Sequence, residues 1–350
     1  MLFVAIAGNR VGFGHLNRCL SLAECASHSG FLVSFLLFGD NEAREKVENA
    51  GFTCQLESFA SLEYRSIHSF IGRIERPDAL VADISYLTLF RSMDDVKGIF
   101  DLFHGFAGKT VMIDSMGEQA LASRVPDLAV DMLVVPYVGA KESGTKSWLS
   151  LAGADYAVLA PPYQHLPERS VRKNSDRILV SCGGGDPTAL TPIVLEGLNG
   201  VLKVLEIRVI VGPLFAPPLK ATLKELASSS LHTIHLVDSP QCLVGDMQWC
   251  DLAVATSGLI KYELAATSTP AVLISIDDIH HAINQPFAAS GAIVDLGTYV
   301  SSGLIACQVT ELLNNYEARK NMACAGRRLI DGNGANRVIN EITRSFHATE

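Results

Sequence analysis

The apolar positions of the chain fall into two kinds of segment that alternate. Short runs rich in Val, Ile, Leu and Phe lie at 2–7, 31–38, 52–56, 79–82, 110–113 and 132–135, and longer stretches of helical period separate them. The alternation resumes with runs at 178–181, 205–211, 233–237, 252–255 and 271–274, each followed by a plausible helix. Uninterrupted apolar runs of this length predict strands covered on both faces, hence parallel sheets built from βα units. Between the two series, residues 161–176 are polar, Pro-bearing and aperiodic, which suits an interdomain linker. The expected fold class is therefore α/β, with two doubly wound Rossmann-type domains, 1–160 and 177–334, facing one another across a cleft. Ligand is expected at the strand C-termini. The tail, 301–350, is helical in period and interrupted by Gly332-Asn333-Gly334. No tandem repeat and no low-complexity tract competes with this reading.

Composition narrows the class further. A length of 350 residues with 48% hydrophobic and 19% charged positions suits one large or two ordinary domains, and excludes a disordered or fibrous chain. With 28 Lys+Arg against 37 Asp+Glu, the net charge is -9 and no basic cluster stands out, which argues against nucleic acid as a partner. The mean hydropathy of +0.25 is positive, but the apolar runs fall far short of the roughly 20 residues of a spanning helix. The apolar opening 1–7 lacks a basic segment before it and breaks at Gly8-Asn9-Arg10, so it reads as a first strand of a cytoplasmic protein. The eight cysteines are scattered without metal-site spacing and are expected to be reduced, mostly buried, small hydrophobes.

Candidate chemistry gathers where strands run into helices. After the first run comes Gly8-Asn9-Arg10-Val11-Gly12-Phe13-Gly14-His15. Gly12 and Gly14 permit positive φ and close backbone approach, and the following helix offers unpaired N–H groups to an anion or a polar substrate. His15 there has a side chain suited to a general base, although a tight βα turn with His15 as a cap or solvent-facing residue explains the same residues equally well. The second domain opens with Cys182-Gly183-Gly184-Gly185-Asp186-Pro187; three glycines in a row favour phosphate or sugar contact, and Asp186 reads as a helix cap. A third element, Thr256-Ser257-Gly258 entering a helix with Glu263, has donors for a pyrophosphate and a carboxylate for ribose hydroxyls, or simply a Ser cap and a solvated Glu. Asp83 and Asp114, at strand ends, are candidates for orienting substrate hydroxyls or amides or for capping helices. Tyr86 and Tyr137 are candidates for a sugar pocket or for the core.

These loops, in this order, resemble the GT-B architecture of nucleotide-sugar glycosyltransferases. Val11-Gly12-Phe13-Gly14-His15 with Arg18-Cys19-Leu20 and Leu22-Ala23 is similar to the opening motif of the UDP-sugar hydrolase of pseudaminic acid biosynthesis and the related spore-coat polysaccharide proteins. Gly153-Ala154-Asp155-Tyr156-Ala157-Val158-Leu159 and Gly183-Gly184-Gly185-Asp186-Pro187 match two further motifs of that family. The resemblance implies release of UDP from a UDP-linked diacetamido-trideoxyhexose with water as nucleophile, without metal or other cofactor, and with His15 transferring the proton. It also implies that Ser257, Gly258 and Glu263 hold the UDP and that Gly184 and Gly185 lie against the pyrophosphate or sugar, with Gly12, Gly14, Asp83, Tyr86 and Asp114 on the sugar side. The last helix, 335–350, is expected to return to the first domain.

Two departures from the family pattern stand out. The family's Arg and Asp ahead of the first glycines have no acidic counterpart in Val4-Ala5-Ile6-Ala7-Gly8-Asn9-Arg10, which leaves an acidic partner for His15 or the substrate unaccounted for. The family's Asn-Gln pair, about eleven residues before a Gly-Ala dipeptide, falls either at Ile279-His280-His281, measured back from Gly291-Ala292, or on Asn284-Gln285, so His281 and Asn284 are both catalytic candidates. Adjacent His280 and His281 as metal ligands are disfavoured, because neighbouring helical side chains diverge by about 100°. A glycosyltransferase in which His15 deprotonates an acceptor hydroxyl, and a non-catalytic nucleotide-sugar binder, are the competing functions. The sequence leaves the oligomeric state open.

Overall fold

The computed structural model describes residues 1–8, 11–85, 89–90, 92–115, 121–125, 127–141 and 148–347. The chain divides into two compact units, Met1–Pro161 with Gly332–Glu350, and Pro162–Asp331. Each is built on one parallel sheet. In the first unit the strands are β1 (Leu2–Ala7), β2 (Ser34–Gly39), β3 (Thr53–Glu57), β4 (Ala79–Asp83), β5 (Lys109–Ile113), β6 (Met132–Val135) and β7 (Leu149–Ala152), in the order β3-β2-β1-β4-β5-β6-β7. In the second they are β8 (Arg177–Ser181), β9 (Glu206–Val211), β10 (Thr233–Asp238), β11 (Leu252–Thr256), β12 (Ala271–Ile274) and β13 (Ile293–Asp295), in the order β10-β9-β8-β11-β12-β13. Both sheets reverse direction beside their first strand, between β1 and β4 and between β8 and β11. That is the topological switch point, where the loops at the carboxyl ends part and leave room for a ligand.

The apolar runs become strands because both faces are buried. Val4 and Ile6 point into a cluster with Leu80, Ala82, Phe100 and Phe103. Phe3, on the opposite face, stacks on Phe35 with centroids 5.3 Å apart. Helix Gly14–His28 buries Leu16, Cys19, Ala23 and Ala26, three or four residues apart, as a helix covering one sheet face requires. The second unit repeats the plan around Val180, Val209, Val254 and Val272. β7 and β13 were not anticipated. They are edge strands of four and three residues, too short to show a run. Among the eight cysteines, all free, Cys19, Cys25, Cys182 and Cys250 are buried, but Cys242, Cys307 and Cys324 are exposed, so burial accounts for fewer of them than expected.

Of the stretch 161–176 read as a linker, residues from Pro162 on fall in the second unit and are fastened to it by arginine–carbonyl bonds. Arg169 donates to the Met247 and Cys250 carbonyls and to Thr269 Oγ1. The fully buried Arg319 donates to Leu312 and Leu313 on one side and to Arg172 and Lys173 on the other. Charge-assisted donors satisfying several carbonyls at once hold irregular backbone in place without a strand or helix.

Helix Gly334–His347 belongs to the first unit, with Ala335, Val338, Ile339 and Ile342 buried along one stripe. Its approach depends on glycine. A Cβ on Gly334 would collide with the Ala157 carbonyl oxygen and lie 2.7 Å from the carbonyl carbon, both backbone atoms that cannot swing aside. Gly334→Ala is therefore expected to lower the unfolding free energy by about 1–3 kcal/mol, read in denaturant melts, whereas Gly245→Ala, where an added Cβ meets nothing within 4 Å, should change it far less.

Candidate functional site

At the switch point of the first sheet the β1 loop folds back on itself. Gly8 and Gly12 exchange backbone hydrogen bonds of 3.1 and 2.7 Å, and Gly12 sits at φ 71, a conformation that only glycine adopts without strain. The turn delivers the chain to Phe13, which cannot cap a helix with its side chain, and helix Gly14–His28 begins. Gly14 itself has ordinary φ and open space around a would-be Cβ, so neither torsion nor crowding demands glycine there.

His15 and Arg18, one helical turn apart, converge on Asp83 at the end of β4. His15 Nδ1 lies 2.6 Å from Asp83 Oδ1; Arg18 Nε and Nη2 donate to Oδ2 and Oδ1 at 2.7 and 2.9 Å. All three are buried, with relative exposures of 7%, 7% and 0%. The missing acidic partner of His15 is thus supplied from a strand 68 residues away, and the expectation of an unaccounted carboxylate is corrected. Asp83, read as a sugar contact or helix cap, has both oxygens committed to these two side chains. Burial opposes its charge, but the Arg18 guanidinium and then His15 prevail and hold the carboxyl below the usual aspartate range. Arg18 Nη2 also lies 3.2 Å from Nδ1, but the ionised Asp83 can only accept, so Nδ1 carries the proton, and whenever the ring is neutral Nε2 carries the lone pair.

The other first-unit candidates have plainer surroundings. Asp114, fully buried after β5, accepts from the Ala122 backbone N–H at 2.9 Å, the capping alternative. Tyr137 follows β6 and is partly buried, and Tyr86 lies outside the described residues.

In the second unit two of the three glycines have separate geometric reasons, and the third contributes a carbonyl that any residue would carry. Gly183 has φ 82, a Cβ on Gly185 would press on Leu214 Cβ at 3.3 Å, and the Gly184 carbonyl accepts from Leu214 N at 2.9 Å. This loop and the one after β9 pack backbone to backbone, so Gly212 is required as well: its Cβ would strike Gly184. Asp186 accepts from Leu190 N and Thr191 N at 2.8 and 2.9 Å, so it satisfies the first N–H groups of the helix as a cap would, although the N-cap position itself is Ala189. After β11, Gly258 has φ 153, and Ser257 Oγ accepts from Ile276 N at 3.3 Å. Glu263 receives a hydrogen bond from Tyr163, whose phenol is pushed up by burial first and by the Glu263 charge second.

Helix Asp278–Ala289 joins the two alternative catalytic candidates, because His281 and Asn284 are three residues apart on one face. Asn284 is fully buried; its Oδ1 accepts from Lys261 Nζ at 2.7 Å and its Nδ2 donates to Ser275 Oγ at 2.9 Å. His281 Nδ1 meets Asp295 Oδ2 at 2.8 Å, and Ser275 Oγ donates to Asp295 Oδ1 at 3.0 Å. His280 turns instead to Asp277 at 2.7 Å, so the adjacent histidines serve different carboxylates. Among the described residues no group of three His, Cys, Asp or Glu side chains is placed to hold a metal ion. Sequence reasoning missed Lys261, Ser275 and Asp295. The signal was a lysine inside the apolar stretch Leu259-Ile260-Lys261-Tyr262.

The two sheets and their order define the GT-B fold. Superposition on solved structures agrees: MurG of Acinetobacter baumannii aligns with TM-score 0.69 at 14% identity over 98% of this chain and 99% of that one. The UDP-GlcNAc 2-epimerase of Neisseria meningitidis bound to UDP-GlcNAc aligns at 0.67 and 14% identity over 98% and 100%. WaaG, a glycosyltransferase involved in lipopolysaccharide biosynthesis, aligns at 0.55 and 12% identity over 98% and 100%. By sequence the chain is similar to the spore coat polysaccharide biosynthesis protein SpsG of Bacillus subtilis, 27% identical over 53% of this chain and 56% of that protein. It is also similar to an uncharacterized protein of Methanocaldococcus jannaschii, 26% identical over 75% and 53%. The chain spans about half the length of the curated relatives it matches. No family model matches it. No helix among the described residues is long and apolar enough to cross a membrane.

The Asp83 shift has a consequence for stability. A carboxylate whose folded pKa lies below its unfolded value stabilises the fold above the unfolded pKa, near 3.9, and this contribution disappears as pH falls through the folded pKa. Asp83→Asn, which removes the buried carboxylate that Arg18 and His15 share, is expected to cost about 3–5 kcal/mol at pH 7. The gap between variant and wild type should narrow below about pH 4, as denaturant titrations at pH 7 and pH 3 would record.

Proposed function

We propose that the chain is a nucleotide-sugar hydrolase that releases UDP from a UDP-linked diacetamido-trideoxyhexose, using His15 to take a proton from water. The observation that carries this reading is the His15–Asp83–Arg18 cluster at the carboxyl edge of β1 and β4. Water oxygen bonds to the anomeric carbon, the bond from that carbon to the diphosphate oxygen breaks, and UDP leaves with the electron pair. The proton of the attacking water passes to His15 Nε2. Asp83 keeps Nδ1 protonated and stabilises the imidazolium that forms, while Arg18 prevents Asp83 from taking the proton itself. The sugar class comes from the sequence resemblance, and the similarity to a spore coat polysaccharide protein supports a role in polysaccharide building blocks.

A glycosyltransferase with a UDP-sugar donor is the second reading, favoured by the alignment with WaaG. The same imidazole then accepts the proton of an acceptor hydroxyl.

Incubating purified protein with UDP- and CMP-linked acetamido sugars, in EDTA and without acceptor, separates the readings by mass spectrometry of free nucleotide and free sugar. Hydrolysis is expected from one UDP-sugar, with His15→Ala slowing it by about 10²–10⁴-fold and Asp83→Asn by a comparable factor through loss of the correct tautomer. Binding without release would exclude the hydrolase and leave the transferase or a non-catalytic binder.

A further inference from the structure

The first unit has a second concave feature, at the end of its sheet remote from His15. Lys109, Met132 and Leu149 open β5, β6 and β7, and with Val111 they line a cavity of about 330 Å³. Lys109 pairs with Ala79 at the start of β4, and Asp83 lies four residues, roughly 13 Å, further along that strand. Strand pairing sets Val111 beside Met132 and Met132 beside Leu149, so one row of apolar side chains crosses three strands. The alternate residues Met112 and Leu133 face the other way, into the core with Phe100 and Phe103. Helix Gly334–His347 brings Ser345 to the cavity but does not close it, and Leu149 is 48% exposed.

The polar lining carries one fixed charge of each sign. Lys109 is half-buried, and among the described residues its ammonium has no ion pair or hydrogen bond. Asp131 Oδ2 accepts from Thr110 N at 2.7 Å and faces His104 Nδ1 at 3.5 Å, whereas no described donor is directed at Oδ1. The two charges line one cavity without pairing with each other. A charge in a partly dry recess is costly until a counter-charge reaches it. An anion alone would meet Asp131, and a cation alone would meet Lys109. A molecule carrying both charges, with an apolar group for the Val111, Met132 and Leu149 row, is complementary to the whole lining. The volume lies near the lower end of small-ligand cavities, about 300–1,000 Å³.

We propose that this cavity binds a small zwitterion with an apolar side chain, an α-amino acid of the leucine kind. Its carboxylate lies on Lys109, its ammonium on Asp131 Oδ1, and its side chain on Val111, Met132 and Leu149. The site belongs wholly to the first unit and is independent of the His15 chemistry and of the nucleotide-sugar reading.

Titrating the full chain, 13C-labelled at the methionine methyls, with L-leucine at pH 7 tests the site, with Met132→Leu identifying the reporting signal. A saturable shift of the Met132 methyl is expected. Leucinamide lacks the carboxylate, 4-methylpentanoate lacks the ammonium and glycine lacks the side chain; each is expected to bind about tenfold more weakly, the size of one charge-assisted contact. Lys109→Gln should weaken leucine about tenfold and leave leucinamide unchanged. Asp131→Asn should likewise weaken leucine and spare 4-methylpentanoate. Should the Asp131 variant fail to fold through loss of the Thr110 contact, Lys109→Gln carries the test alone. Absence of a saturable Met132 shift with leucine overturns the proposal. So does binding of any of the three analogues as tight as that of leucine, or a Lys109→Gln loss equal for leucine and leucinamide.

Discussion

The parallel pairing of β1 with β4 is the constraint on which the first unit's chemistry rests. It sets Ala5 opposite Asp83, so the carboxylate at the end of β4 comes level with the loop leaving β1. Helix Gly14–His28 leaves that loop with His15 and Arg18 one turn apart, and both reach the same carboxylate. Neither basic side chain is an economical thing to bury alone. Asp83 makes their burial tolerable and in return is kept ionised by Arg18. The fold orients the His15 imidazole by means of a strand register, which is far stiffer than a loop.

The second unit obeys the same topology with different loops. Around β8 and β9, Gly212 is wedged against the Gly184 backbone, Gly185 lies against the Leu214 side chain and Gly183 takes a positive φ. Part of a glycine run that reads as a phosphate cradle is thus already accounted for by torsion and packing.

The legibility of the sequence follows the range of the interactions. Strands such as Leu2–Ala7 and Ala271–Ile274 were readable because burial on both faces imposes an unbroken apolar run. β13, three residues ending in Asp295, had no such run to show. Asp83 was visible as a strand-end carboxylate but not as the partner of His15, because motif reading is local and the pairing spans 68 residues. Its location was nonetheless implicit in the doubly wound order, which puts the fourth strand beside the first. His281 and Asn284 looked like rival placements of one motif, yet helical spacing puts both on one face, and Ser275 and Asp295 tie them into one chain.

The two polar clusters share a composition and differ in one physical respect. Each has a buried cation, a carboxylate at or just past a strand's carboxyl end, and an imidazole with Nδ1 directed at that carboxylate. In the first unit the cation touches the carboxylate at 2.7 Å; direct contact overcomes the burial penalty and strengthens Asp83 as an acid. In the second, Asn284 and Ser275 stand between Lys261 and Asp295. Attraction across two intervening side chains is weaker, so burial prevails and the lysine is pulled down to about 8. A guanidinium could not be tuned in this way, since it keeps its proton across the physiological range. The first cluster therefore holds its carboxylate ionised against its guanidinium. The second carries a cation held away from its carboxylate by two neutral side chains, with Asn284 rather than Asp295 as its direct acceptor.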